Sequence, residues 1–423
     1  MGLEDRVLAE VDRVLGEAVD FCRELVRVPT VNPPGAEYAR CAELIGSHLA
    51  RLGYEVCYVP AEGLPEHSAD YPRLNVVGGL DSGRPGPTVH FNGHLDVVPP
   101  GTGWTRPPFE AALEDGRIYG RGAADMKAGI AAMVYAVEAL RRAGYPVRGR
   151  LEQSATVDEE SGGFAGVAYL CRRGIIRSGR TDYVVITEPL DPDRVCIGHR
   201  GVYWFEVTVR GRVAHGSMPH LGVNAIEVMG LFIERLRREL KPRLAGRRTN
   251  LPVVPEPARH PTLNVNGIVG GQADTAWRPT PCVADGCRAV FDRRFIPEEQ
   301  AAEVRREVED ILRELRAEVA GFDYEWRDLM VVEPVVTDPG SPLVRAFARA
   351  VGQVYGYPAA LVASPGTYDH KHVRRLGGVE HCIAYGPGRL ELAHQPDEHV
   401  EIEDLRRAIG VMALGLINLW AQE

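Results

Sequence analysis

The stretch TVHFNGHLDVVP, residues 88–99, decides the fold. Its first half, TVHFNG, has the length and the β-branched and aromatic content of a buried strand, and it stops at a glycine. His94 and Asp96 follow at once, and both residue types bind metals. A strand that ends on such groups suits an open α/β sheet, where ligand sites gather beyond the carboxyl ends of the strands.

Working outward, the arrangement recurs. RLEQSATVD near residue 150 leads into Glu159 and Glu160, and DYVVIT near 182 leads into Glu188. LNVVGGL near 74 reads as a further strand. Leu8, Val11, Leu15, Val19, Cys22 and Val26 repeat at helical spacing, as do Cys41, Leu44, Ile45, Leu49 and Leu52. Further helices are predicted near 127–142 and 163–173. Alternating helices and strands predict an α/β domain with at least part of its sheet parallel.

Near residue 199 the pattern changes. GVYWFEVTVRG alternates like a half-exposed strand, and a helix is predicted at about 223–240. After a loop rich in Pro and Arg (about 242–261) come the strands TLNVNGIVG and CVADGCRAVFDRRF, a charged helix at about 297–319, and the strand FDYEWRDLM. This β-α-β-β-α-β order predicts a ferredoxin-like insertion. The expected organisation is a split domain, 1–199 and 332–423, interrupted by a smaller one at 200–331.

Composition narrows the function. A net charge of −9 argues against nucleic-acid or membrane-surface partners. No apolar run approaches the roughly 20 residues that span a bilayer. The first residues, MGLEDRVLAEVDRVLGE, read as a charged amphipathic helix rather than a secretory signal, so a cytoplasmic chain is expected. The eight cysteines form no C-x-x-C pair and read as reduced core residues.

The groups that carry chemistry are His94 and Asp96, Asp125 in GRGAADMKAG, Glu159 and Glu160, Glu188, and His394 in AHQPDEH. Each has an ordinary reading by itself. H-x-D suits a surface turn, Asp125 suits a helix cap, and a Glu pair suits a solvated face. Their joint placement at strand ends points to metal binding. Two His and three carboxylates suit two zinc ions sharing one carboxylate.

GHLDVVP, GRGAADMKAG, TVDEESGG and ITEP, in that order and spacing, resemble a zinc metallopeptidase and amidohydrolase family. It contains acetylornithine deacetylase, succinyl-diaminopimelate desuccinylase, aminoacylase-1 and glutamate carboxypeptidase. The resemblance covers nearly the whole chain, and AHQPDE matches the family's C-terminal His motif. It implies a mixed-sheet zinc-hydrolase domain with an inserted lid or dimerisation domain. His94, Asp125 and Glu188 would bind one zinc, and Asp125, Glu160 and His394 the other, with cobalt a possible substitute. Asp96 would fix the tautomer of His94, and Glu159 would be the general base. A cis peptide would follow Asp125.

The resemblance also implies substrate contacts. AHGSMPH gives His215, expected to act across a homodimer. DRRF gives Arg294 as carboxylate anchor, with Arg293 the alternative, and SPGTYDHK gives Gly366 and Thr367. His370, His372 and His381 match no ligand motif. Where many relatives carry an Asn, GGQADTAWRP places Asp274 and Thr275, which puts the acyl specificity in question. The expected substrate is an N-acyl amino acid or a short peptide.

Overall fold

The computed structural model describes residues 2–273, 277 and 280–422, so Asp274 and Thr275 lie outside the described residues. Two compact units divide the chain. One takes the residues up to Gly198, Val336–Val362 and Tyr368 onward, and the other takes His199–Val335 with Ala363–Thr367. The short segment Ala363–Thr367, expected in the catalytic domain, thus belongs to the inserted unit.

The first unit is built on a mixed sheet. Its centre is four neighbouring parallel strands: Arg150–Thr156, Thr88–His94, Tyr183–Ile186 and His381–Ala384. Antiparallel strands Leu74–Asp81 and Glu55–Pro60 extend one side, and Arg194–His199 the other. His94 lies opposite Thr156, and Asn92 opposite Ile186. Parallel strands in register end at one edge, so the loops carrying His94, Glu159, Glu160 and Glu188 leave the sheet together.

Both faces of Thr88–His94 are covered, as parallel strands require, yet the strand carries polar residues. Their polar atoms are met by neighbours, apart from the Asn92 side-chain nitrogen, which is buried without a hydrogen-bond partner. His90 Nδ1 lies 3.1 Å from Glu152 and its Nε2 2.8 Å from Ser154, whose hydroxyl donates to Asn92 at 2.7 Å. Arg150 and Arg180 close the network on Glu152, so no unpaired charge is left inside.

Helix Ala128–Arg142 is buried on nearly every side beneath Leu3–Val26 and Ile402–Trp420. Among the described residues no helix is long and apolar enough to cross a membrane. On helix Tyr38–Arg51 the His48 ring stacks on Phe21 with centroids 3.9 Å apart, and the Tyr135 hydroxyl lies 3.2 Å from Nε2. Burial, then the charge of Arg51, lowers its pKa to about 4. The unfolded chain therefore takes up this proton first as pH falls. Stability from His48 is complete above about 6.5 and lost as pH drops toward 4. Urea unfolding of the metal-stripped chain across that window is expected to show a steeper loss for wild type than for His48→Gln. Equal slopes would refute the assignment.

The second unit has four antiparallel strands in the order Thr262–Gly271, Gly286–Phe295, Gly201–Arg210, Asp323–Val332. Helices Ala225–Arg235 and Ala301–Glu318 complete the β-α-β-β-α-β order, and Phe205, Val207, Phe232, Phe291, Ile311 and Leu312 lie in its core. The predicted helix at 223–240 ends as a regular α-helix at Arg235 and runs through a π-helical turn, Leu236–Leu240, into Lys241–Ala245. Asn224 caps its start by accepting from the amides of Ile226 and Glu227.

Candidate metal centre

Each loop at the sheet edge is shaped by local backbone geometry. Asp125 sits at a kink within Ala123–Lys127, where it and Met126 leave helical backbone angles, and the Asp125–Met126 peptide is cis. Asp158 adopts φ 60°, which turns the chain into the short helix Glu159–Ser161. Gly162 and Gly163 also have positive φ, so the helix predicted from 163 begins only at Val167. His394 has φ 63°.

These loops bring five proposed ligands together. Asp125 Oδ1 lies 3.1 Å from His94 Nε2, and its Oδ2 lies 3.4 Å from His394 Nε2. One carboxylate thus faces two histidines with different oxygens. His394 Nε2 is also 3.0 Å from Glu160 Oε1. Ligand atoms of His94, Asp125 and Glu160 lie within 4.8 Å of one another, as do those of His94, Glu159 and Glu188. Glu159 therefore sits among the ligands by distance, but it already faces a cation: Lys371 Nζ is 3.3 Å from its Oε1, and both are largely buried.

The electrostatics describe a cluster short of positive charge. Burial, then the charge of Asp125, pushes the Glu188 carboxyl well above the ordinary carboxylate range. Burial likewise raises Glu160 to about 7. Burial opposes ionisation of Asp125 too, but hydrogen bonds from His394 and His94 outweigh it and hold that carboxyl low. Hydrogen bonds to Asp125 and Glu160 raise His394 to about 10. Glu160, Glu188 and His394 thus hold protons that a bound cation would displace. Nitrogen and carboxylate donors at this spacing fit zinc or a similar divalent ion.

Several residues that hold the site together carry no sequence motif. The resemblance assigns Asp96 to His94, and the structure divides its work. His94 Nδ1 lies 2.9 Å from the Asp96 main-chain oxygen and 3.6 Å from its carboxylate. That carboxylate instead accepts the amides of Glu159 and Glu160, each at 3.2 Å, and the Asn32 amide at 3.1 Å. Asp158 is pinned by Tyr38 at 2.9 Å and Arg73 at 3.0 Å. His370 and His372 stay outside the cluster, and His372 Nε2 donates to the Gly162 carbonyl at 2.7 Å. The residue between them, Lys371, is the one that reaches the site.

The other residues that the resemblance singles out lie in the second unit. Arg294 is half-buried and forms a two-point pair with Asp292, at 2.7 and 3.0 Å. Arg293 points to the opposite face, is fully buried, and pairs with Glu299 and Glu307, which makes it part of the core. His215 is exposed, with Nδ1 2.7 Å from Ser217 Oγ. Gly366 and Thr367 follow Ser364, whose Oγ accepts the Gly366 amide at 3.2 Å.

Comparison with known proteins agrees with this picture. A succinyl-diaminopimelate desuccinylase from Alkalilimnicola ehrlichii is 30% identical over 397 residues, covering 92% of this chain and 96% of the relative. Human carnosine dipeptidase 1 superposes with a TM-score of 0.80 at 20% identity, covering all of this chain and 99% of that one. The Bacillus subtilis YxeP protein, described as a dinuclear metal binding peptidase, gives a TM-score of 0.69 at 16% identity over 96% of this chain and 99% of its own. Residues 90–418 match the sequence profile of peptidase family M20/M25/M40. Chain-long sequence similarity, the shared fold and the cluster of His and carboxylate ligands lead to one conclusion: the chain belongs to peptidase family M20/M25/M40 and is a metal-dependent hydrolase of amide bonds.

Proposed function

We propose that this enzyme is a two-zinc amidohydrolase that removes the acyl group from an N-acyl amino acid. The observation that carries the reading is Asp125, whose two oxygens face His94 and His394 separately. That is the placement of a carboxylate shared by two ions. Its relative's name, succinyl-diaminopimelate desuccinylase, supports the deacylase type. Bound zinc supplies a Lewis acid for the scissile carbonyl and acidifies the attacking water. His94, Asp125 and Glu188 would hold one ion, and Asp125, Glu160 and His394 the other. Glu159, oriented by Lys371, takes the proton from water and returns it to the leaving nitrogen. Asp96 fixes the loop on which Glu159 and Glu160 stand.

In the second unit, Arg294 is the proposed anchor for the substrate carboxylate, because a guanidinium already steered by Asp292 can meet a carboxylate at two points. Gly366 and Thr367 are proposed pocket residues, and His215 a donor to the developing oxyanion. Turnover of zinc- or cobalt-loaded enzyme on substrates of fixed amino acid and varied acyl group tests the reading. Acetyl or succinyl substrates are expected to be cleaved. Cleavage of dipeptides alone would move it to a dipeptidase or carboxypeptidase, and no turnover of any substrate to a non-catalytic binding protein.

Arg294→Lys is expected to lose about 1.5–3 kcal/mol of transition-state binding for the carboxylate substrate. The amide analogue should lose little. Equal losses for acid and amide would remove Arg294 as the anchor.

A further inference from the structure

Glu398 lies four residues after His394 and is fully buried. A carboxylate in that setting needs several donors, and it has them. Oε1 accepts three backbone amides of the Asp125 turn: Gly122 at 3.1 Å, Ala124 at 2.9 Å and Asp125 itself at 3.0 Å. Oε2 accepts from the buried Arg121 guanidinium. Arg121 in turn donates to the carbonyls of Gln395 at 3.3 Å and Pro100 at 3.2 Å. The Glu398 main-chain oxygen accepts the Gly120 amide at 2.8 Å. One acidic side chain therefore fastens the turn that carries Asp125 to the loop that carries His394.

We infer that Glu398 is a positioning residue for the metal centre, setting Asp125 against His94 and His394 at once. The inference rests on the two-ion reading of the site. It has a consequence that a single ligand does not share. Removing one histidine weakens one ion. Loosening the Asp125 turn moves the carboxylate that faces both, so both ions weaken together. Partners that orient metal ligands typically contribute about 10–100-fold in affinity.

Calorimetric titration of the metal-free chain with zinc, repeated with cobalt and followed by its visible absorption, tests this. Wild type is expected to show two binding events; their absence would remove the two-ion reading itself. In Glu398→Gln, which keeps the shape but sets an amide against Arg121, both events should weaken by about 10–100-fold, with changed cobalt absorption. Should that variant fail to fold, Glu398→Asp keeps the charge, draws it back from the three amides, and is read in the same way. Unchanged affinities, or weakening of one event alone, would overturn the inference. So would a lowered melting temperature with normal metal binding, or failure of both variants to fold, because Glu398 would then serve the fold and not the ions.

Discussion

Glu159→Gln is expected to lower kcat by about 10²–10⁴-fold while both ions stay bound. Both glutamates lie among possible ligands by distance, but their partners differ. Glu160 meets His394 at 3.0 Å, at the ligand cluster, whereas Glu159 meets Lys371 at 3.3 Å. With Glu159 as the proposed base and Glu160 as the proposed ligand, the substitution would remove a proton acceptor and keep the ligands. KM should change little, because the loss falls on a step after binding. Turnover and metal content measured on the same preparation decide the matter. Zinc lost with Glu159 and kept in Glu160→Gln would exchange the two roles, and near-normal turnover would end the assignment.

His215→Ala is expected to lower kcat by about 10²–10³-fold, the usual effect of losing one oxyanion donor. We propose that it acts across a two-fold dimer. His215 is exposed in its own chain, and the exposed apolar residues Val213, Met218 and Leu221 flank it in sequence. Buried apolar contacts of this kind hold subunits together. Refolding His215→Ala with Glu159→Ala as a mixture tests the idea. In a mixed dimer acting in trans, one site carries both defects and the other none, so about a quarter of all sites recover with random pairing. Verified mixed dimers with no recovered activity would place His215 within its own subunit's site, or outside catalysis.

Much of the candidate site was legible because most of its proposed ligands follow strand ends. Strand periodicity located Thr88–His94, and the residues just past it could carry only a few kinds of chemistry. The four-stranded unit was legible for the same reason: Gly201–Arg210 alternates between buried and open faces. What sequence did not disclose is what depends on long-range contact. Tyr38 and Arg73 act on a loop over eighty residues away and Asn32 on a residue 64 away, and nothing local marks them. Glu398 stood in the quoted His394 motif, but a glutamate among AHQPDEH has no local reason to be buried. Lys371 was hidden between two histidines that draw attention as metal ligands. Arg293 and Arg294 could not be told apart by spacing, and only strand register puts one in the core and the other on the open face. The segment Ala363–Thr367 changed units because a contact partner, not a sequence break, decides membership: its Ala363 pairs with Val253.

The place of strand His381–Ala384 bears on how the molecule is made. It stands between Tyr183–Ile186 and Arg194–His199, in the middle of the sheet. On the ribosome the first of these neighbours emerges roughly 200 residues before it, about 10–40 s at about 5–20 residues per second. Throughout that interval the nascent chain has a gap in its sheet. The apolar edge of Tyr183–Ile186, buried at every position in the finished protein, has no partner strand on that side. An open edge of this kind is a template for pairing with another chain. Translation that stalls before residue 381 would leave it exposed, so this protein's demand for chaperones should be set by the synthesis of about its last tenth.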